Sequence, residues 1–374
     1  MKVLMISGSY PPDVCGVGDY TYNLVQALEK QAVEVMVLCS TDTSPTPVPG
    51  PAVLEQRASS WSPLCAITAL RHAIADFQPD IIHFQYPTIG FGHRLGPHAA
   101  AVYGRLKGHK VIVTVHESKK AHILRQISLL AFNFCVHILT TTSAQAGYLR
   151  RVWFYPLRDK ISVIPIASNI PRAAVTAGTS SLPVCTHFGL IYPNKGIDTF
   201  IEVARQSRLT FGPQLRFRIV GNVHPAYLPY FECLRKDARD LNIEWILGSS
   251  PEEVARLLYE SLVCILPFSD GASYRRGSLL AALINGVPVI TTSSAETPDD
   301  LIHGYNIYFA GKVEEYIQYI GELLDPETHQ SISERCRQLG QKFDWDHIAE
   351  LHQALYRRLI TARAGSTKYS QLNK

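Results

Sequence analysis

Four loops of this chain carry residue types able to hold charge or move a proton. The first, Ser7-Gly-Ser-Tyr-Pro-Pro-Asp-Val-Cys-Gly-Val-Gly18, is glycine-bearing and runs into a helix-length segment. Such a loop offers bare backbone N–H groups and the positive end of a helix dipole to a phosphate. It is neither G-x-G-x-x-G nor a Walker loop, and no acidic residue is placed for a nicotinamide ribose. The second, Gly189-Leu-Ile-Tyr-Pro-Asn-Lys-Gly196, sets Lys195 beside a glycine that lets backbone approach closely, the arrangement of a diphosphate clamp. In the third, Arg275 and Arg276 stand before a helix start at Gly277-Ser278, which concentrates positive potential on one spot. The fourth, His116-Glu117, follows an apolar run and offers an imidazole for proton transfer or hydrogen bonding. Each has a plainer reading: a helix cap, a solvated lysine, two solvent-facing guanidiniums, a packed imidazole.

Two further motifs are set aside. Asp344-Trp-Asp346 has the spacing of a metal-binding D-x-D but begins the last helix, where aspartate caps. Arg150-Arg151 with Trp153-Phe-Tyr155 reads as a packed helix end before a membrane contact.

The elements that must position these loops follow one grammar, β-branched runs alternating with amphipathic helices, which marks parallel sheets covered on both faces. In the first half strands are expected at 2–7, 34–40, 80–86, 111–117, 137–142 and 161–166. Helices are expected near 18–31, 62–77, 95–107, 121–132 and 143–151, and Ser44–Ala52 is a Pro-rich loop. The second half restarts with strands at 184–191, 215–220, 243–248, 263–268, 288–292 and 306–309. Its helices fall near 196–207, 227–242, 251–261 and 277–285, with more from Lys312 to a last helix at 345–360. Ala167–Leu182 reads as the linker. The expected fold class is α/β, with two doubly wound domains facing a cleft. Ligands of such sheets bind beyond the carboxyl ends of the strands, where all four loops fall.

With 374 residues, 46% apolar and 18% charged, the chain suits two globular domains and excludes wholesale disorder. The net charge of +4 is too small for a dedicated nucleic-acid binder. Residues 1–170 carry a net +5 and the remainder −1, which suits an anionic ligand or an acidic membrane surface on the first half. Eight scattered cysteines without a CxxC spacing read as buried thiols in a reducing compartment, neither a disulfide framework nor a zinc site. The early Pro11-Pro12 argues against a signal peptide, and no apolar run reaches membrane-spanning length. The expected location is cytoplasmic, with peripheral membrane contact through the basic half.

In order along residues 1–360, these pieces resemble family 4 of the retaining glycosyltransferases of GT-B fold. The Pro-Pro-x-x-x-Gly-Val-Gly loop with Tyr20–Leu28, Lys195-Gly196, Ile219-Val-Gly221, and the block ending Gly-x-Pro-Val-Ile carry the resemblance. It implies an acceptor domain at 1–168, a nucleotide-sugar donor domain at 183–344, and a helix at 345–362 packing back on the first domain. It further implies that Gly16 lies against the donor diphosphate, that His116 lies near the transferred sugar, that Lys195 neutralises the diphosphate as it leaves, and that Leu247 with Gly248 sits beside the base. His116, Lys195 and Arg276 are the catalytic candidates, with Gly16, Val17, Glu117, Gly189, Leu247, Asp270, Ser273, Arg275, Gly277 and Ser278 as substrate-binding candidates. No metal and no cofactor are needed, since cations and helix amides stabilise the leaving charge. The partners implied are a nucleotide-sugar donor and an acceptor hydroxyl on a glycan, lipid-linked or small molecule.

The sequence departs from the family at three positions. The two carboxylates of the E-x7-E pair fall on Ser273 and Ala281, and the usual Arg of the lysine loop is Leu190. Asp270 is the candidate for the first carboxylate, and Arg275 or, beside Gly277, Arg276 for the missing arginine. These departures also leave open a non-catalytic GT-B protein that binds a nucleotide sugar or glycan as a partner subunit.

Overall fold

The computed structural model describes every residue except 14, 41–53, 59, 93, 118–127, 153–159, 175–181 and 363–374. The expected Pro-rich loop, most of the 121–132 helix, the 153–155 aromatics and part of the linker lie outside the described residues.

The chain divides into two compact units, Met1–Ile166 with Trp345–Lys374, and Ala167–Asp344. Unit 1 holds a parallel sheet of β1 (Lys2–Ile6), β2 (Glu34–Ser40), β3 (Leu54–Ala58), β4 (Ile81–Tyr86), β5 (Val111–Val115), β6 (His137–Thr140) and β7 (Ile161–Val163). Their order is β3-β2-β1-β4-β5-β6-β7. Val3 pairs with Val35 on one side and with Ile81 on the other. The runs Val3–Ile6 and Val111–Val115 are buried throughout, as strands covered on both faces must be. β3 was absent from the sequence-based expectation. Its Leu-Glu-Gln-Arg-Ala contains no β-branched residue, and only pairing with β2 makes it a strand.

Helices α1 (Gly16–Lys30), α2 (Pro63–Phe77), α3 (Gly96–Leu106) and α4 (Ser143–Val152) connect these strands. In α1, Leu24, Val25 and Leu28 are fully buried, each contributing about 1.5–3 kcal/mol. Where a helix was expected to reach Phe132, residues Leu129–Phe134 form a 3₁₀ turn. Its buried Leu129 and Phe132 are three apart, a spacing that a three-residue turn places on one face.

Unit 2 holds a parallel sheet of β8 (Val184–Phe188), β9 (Arg216–Gly221), β10 (Glu244–Leu247), β11 (Val263–Leu266), β12 (Val289–Thr291) and β13 (Tyr308–Phe309). The order is β10-β9-β8-β11-β12-β13. Among the described residues it is accompanied by the helices α5 (Ile197–Phe211), α6 (Leu228–Asp237), α7 (Pro251–Tyr259), α8 (Gly277–Ile284), α9 (Val313–Leu323) and α10 (Pro326–Gly340). The buried residues of α5 include Ile197, Phe200, Ile201 and Ala204, the i, i+3, i+4, i+7 stripe of a helix lying on a sheet. The last helix, α11 (Trp345–Thr361), belongs to unit 1 and packs on α1, with Ile348, Ala349 and Tyr356 fully buried. No helix among the described residues is long and apolar enough to cross a membrane.

Each strand order reverses once, between β1 and β4 in unit 1 and between β8 and β11 in unit 2. At such a reversal neighbouring loops diverge to opposite faces and leave a crevice at the carboxyl ends. The loops that sequence reasoning singled out leave β1, β5, β8 and β11.

Candidate functional site

In unit 2 two backbone contacts fix the loop after β8. A Cβ on Gly221 would stand 1.8 Å from the Gly189 carbonyl oxygen, so only glycine lets β8 and β9 end so close. Gly196 has φ +75° and a Cβ there would stand 2.0 Å from the Pro267 carbonyl oxygen. That contact holds the Lys195 loop against the end of β11. The Ser269 hydroxyl adds a bond to the Asn194 carbonyl at 3.3 Å.

Lys195 Nζ lies 4.6 Å from the Tyr192 ring centre, a cation–π contact. The Arg276 guanidinium lies 4.9 Å from the centre of the Phe268 ring. Burial lowers the Arg276 pKa from its ordinary value, and the nearby Tyr192 hydroxyl opposes that shift. Lys195 and Arg276 thus belong to the two loops that leave β8 and β11 at the reversal. Arg276 is also the N-cap residue of α8, whose first amides receive no side-chain cap. Gly277 is exposed, nothing lies within 4 Å of where its Cβ would stand, and Ser278 is half-buried.

The double arginine is not the concentrated positive spot expected. Arg276 is ion-paired with Asp270, and Arg275 bonds Glu296 at 3.1 Å. Asp270, the candidate for the family's first carboxylate, is half of that exposed ion pair. Ser273 accepts the Arg276 amide through its carbonyl at 3.0 Å. Ala281 is fully buried on the inward face of α8, where an uncompensated carboxylate would be strongly disfavoured. Leu190 and Leu247 are exposed at the ends of β8 and β10, and the Gly248 amide donates to Asn222 Oδ1 at 2.8 Å. A cavity of about 690 Å³ beside Asn194 and Gly196 is also lined by Phe268, Ser269 and Lys312.

In unit 1, α1 starts at Gly16, which is exposed with nothing within 4 Å of a Cβ position, and its N-cap Cys15 makes no side-chain cap. Val17 is half-buried and Glu117 exposed. His116 is half-buried with an enclosed ring, whose Nε2–H donates to Gln85 Oε1 at 2.9 Å. Its carbonyl accepts from Gln145 Nε2 at 2.6 Å, and the Tyr20 ring stands edge-on at 4.8 Å. Desolvation, then the charge of His352, lowers its pKa to about 3, so the ring is neutral.

His116 heads a buried polar network. His83 bonds Tyr356 Oη at 2.6 Å and Thr114 Oγ1 at 2.7 Å, with Gln85 Nε2 at 3.4 Å. His352 lies 3.5 Å from the Tyr20 hydroxyl. Sequence reasoning missed Tyr20, Gln85 and Tyr192 as supports. Tyr20 had a signal in its place at the glycine-bearing start of α1, and Tyr192 in its place in the loop after β8. Gln85 had none, being one more residue inside a buried strand. Among the described residues no three His, Cys, Asp or Glu side chains cluster so as to hold a metal ion.

Two doubly wound units in one chain are the architecture of the GT-B fold. Residues 14–167 match the model of Glycosyltransferase Family 4, and residues 182–326 that of Glycosyl transferases group 1. The chain belongs to this family 4, GT-B group of glycosyltransferases. It is 25% identical over 300 residues to a GDP-mannose:glycolipid 4-beta-D-mannosyltransferase of Xanthomonas campestris pv. campestris, covering 74% of this chain and 79% of that protein. Among solved structures it is similar to a glycosyltransferase from Rickettsia africae (TM-score 0.74, 14% identity, 97% and 99% of the two chains). It is also similar to sucrose-phosphate synthase from Thermosynechococcus elongatus (TM-score 0.69, 18% identity, 97% and 100%). A third, HepE from Anabaena in complex with UDP, gives a TM-score of 0.70 at 14% identity over 96% and 100%.

Proposed function

We propose that the chain moves a hexosyl group from a nucleoside-diphosphate sugar, held by unit 2, to a hydroxyl of a lipid-linked acceptor, without a metal ion. The observation that carries this reading is that Lys195, in the loop packed on Pro267, and Arg276, over Phe268 at the uncapped start of α8, both stand at the β8–β11 reversal. As the bond from C1 to the phosphate breaks, negative charge grows on the diphosphate. A lysine, a guanidinium and helix amides fixed at one crevice stabilise that charge, the work a divalent cation does elsewhere. Asp270 is 60% exposed, so its pairing with Arg276 is weak and a diphosphate competes for the same bidentate fork. His116 in unit 1, neutral and oriented by Gln85, is suited to hydrogen-bond a sugar hydroxyl.

The acceptor reading draws on the glycolipid acceptor in the name of the Xanthomonas relative. It is supported by Leu64, Ile89 and Leu95, exposed at 79%, 75% and 56% in unit 1, whose first 170 residues carry the basic excess. A cytoplasmic protein in peripheral contact with the membrane fits both features.

The resemblance to family 4 implies retention at the anomeric carbon. Two observations favour inversion instead. Ser273 and Ala281 stand where the retaining pattern has its carboxylates, and the name of the relative specifies a β-mannoside. Nucleotide-activated mannose is α-linked, so a β product arises by inversion. The test combines a panel of nucleoside-diphosphate sugars and glycolipid acceptors in EDTA with NMR assignment of the product's anomeric carbon. Release of nucleoside diphosphate coupled to a β-linked product is expected. Turnover that needs added magnesium or manganese refutes the cationic clamp. Donor binding without any turnover favours the partner-subunit alternative.

A further inference from the structure

An inverting transfer needs a group to take the acceptor's proton. Back-side attack puts the acceptor oxygen and the departing phosphate on opposite sides of C1, so the phosphate cannot accept that proton. His116 is unsuited. Its partner is the neutral amide of Gln85, which does nothing to stabilise an imidazolium, and its enclosure disfavours one.

The described residues that leave β1 and β5 or open α1 offer three carboxylates, Asp13, Asp19 and Glu117. Asp13 lies in the loop before α1, and Glu117 is exposed. Asp19 differs from both. It sits in the first turn of α1, a rigid element at the β1–β4 reversal, next to Tyr20, whose ring touches that of His116. It is half-buried, yet among the described residues its carboxylate makes no ion pair and no hydrogen bond; Asn23 Nδ2 bonds its backbone carbonyl instead. The first turn of a helix tolerates a carboxylate without a partner, so that of Asp19 stays free to accept a proton from a bound hydroxyl. Burial raises its pKa above the ordinary carboxylate value, toward that of a working base.

We infer that Asp19 is the general base of this transfer. Its carboxylate takes the proton from the acceptor hydroxyl while that oxygen bonds to C1. The C1–oxygen bond to the diphosphate breaks, and its electron pair leaves on the phosphate. Protonated Asp19 then returns its proton to water. This rests on the inverting reading above, and the experiment separates the two. Asp19→Asn, Asp13→Asn and Glu117→Gln are compared with the parent enzyme on acceptors graded in acidity from alkyl alcohols to nitrophenols. Product configuration is read by NMR and nucleoside-diphosphate affinity by calorimetry.

The expected result is a β product, a ~10²–10⁴-fold loss of kcat for Asp19→Asn on alkyl alcohols, a much smaller loss on nitrophenols, and unchanged nucleotide affinity. A packing role would lower all acceptors alike. An α product refutes the inverting reading and with it the need for a base. A β product with equal loss across acceptors, with no loss, or with the graded loss appearing in Asp13→Asn or Glu117→Gln, leaves inversion standing and overturns the role of Asp19.

Discussion

Acid should unfold unit 1 in the range where ordinary histidines titrate. His83, His116, His137 and His352 are enclosed in that unit, and desolvation is the leading cause that keeps each neutral. The folded pKa values fall to about 3 for His116 and His137, to about 4 for His352, and well below the ordinary value for His83. In the unfolded chain each returns to about 6.5. Below pH 6.5 the unfolded state therefore binds protons that the folded state refuses, so stability is full above 6.5 and drains as pH falls toward 3–4.

Between pH 7.5 and 5.5 each such histidine removes about 1.4 kcal/mol, and four remove on the order of 5 kcal/mol. That is comparable with the roughly 5–15 kcal/mol that holds a typical domain. Native-state hydrogen exchange, followed in β4 and α11, measures this unit by itself. The opening free energy should fall with a slope approaching four protons, and His352→Gln should reduce that slope by about one. A flat opening free energy between pH 7.5 and 5.5 would mean that the network accepts protons in place, and the argument from burial would be wrong.

Lys195→Ala should lower kcat by ~10²-fold or more along with donor affinity, as loss of a fixed electrostatic stabiliser does; an unchanged kcat in steady-state assays would make it a surface lysine. Arg276→Ala should weaken nucleoside-diphosphate binding by ~1.5–3 kcal/mol in calorimetry, whereas Arg275→Ala, paired at the surface with Glu296, should leave it unchanged. The reverse pattern would reassign the two arginines. Asp270→Asn removes the competitor for Arg276 and should tighten that binding up to ~5-fold, the worth of an exposed pair; weaker binding would place Asp270 on the ligand. Gly196→Ala forces a side chain into φ +75° and onto the Pro267 carbonyl, costing roughly 1–3 kcal/mol of thermal stability.

The alternation of apolar runs with amphipathic segments was enough to read two doubly wound sheets, because strands buried on both faces and helices buried on one have distinct periods. It also pointed to the loops that carry the candidate residues, since ligands of such sheets bind past the strands' carboxyl ends. Its failures share one cause. Leu54–Ala58 has no strand signal of its own and becomes one only by pairing with β2. The partners of Arg275 and Arg276 were equally illegible, because Glu296 and Asp270 reach them through the folding of loops that sequence distance does not order. The same holds for Gln85 beneath His116, and for Asp19, an ordinary first-turn aspartate until the fold encloses it without a partner. Periodicity is a local property that one chain segment carries in full, whereas burial, pairing and the resulting shifts in protonation depend on segments distant in sequence and exist only once the chain has closed around them.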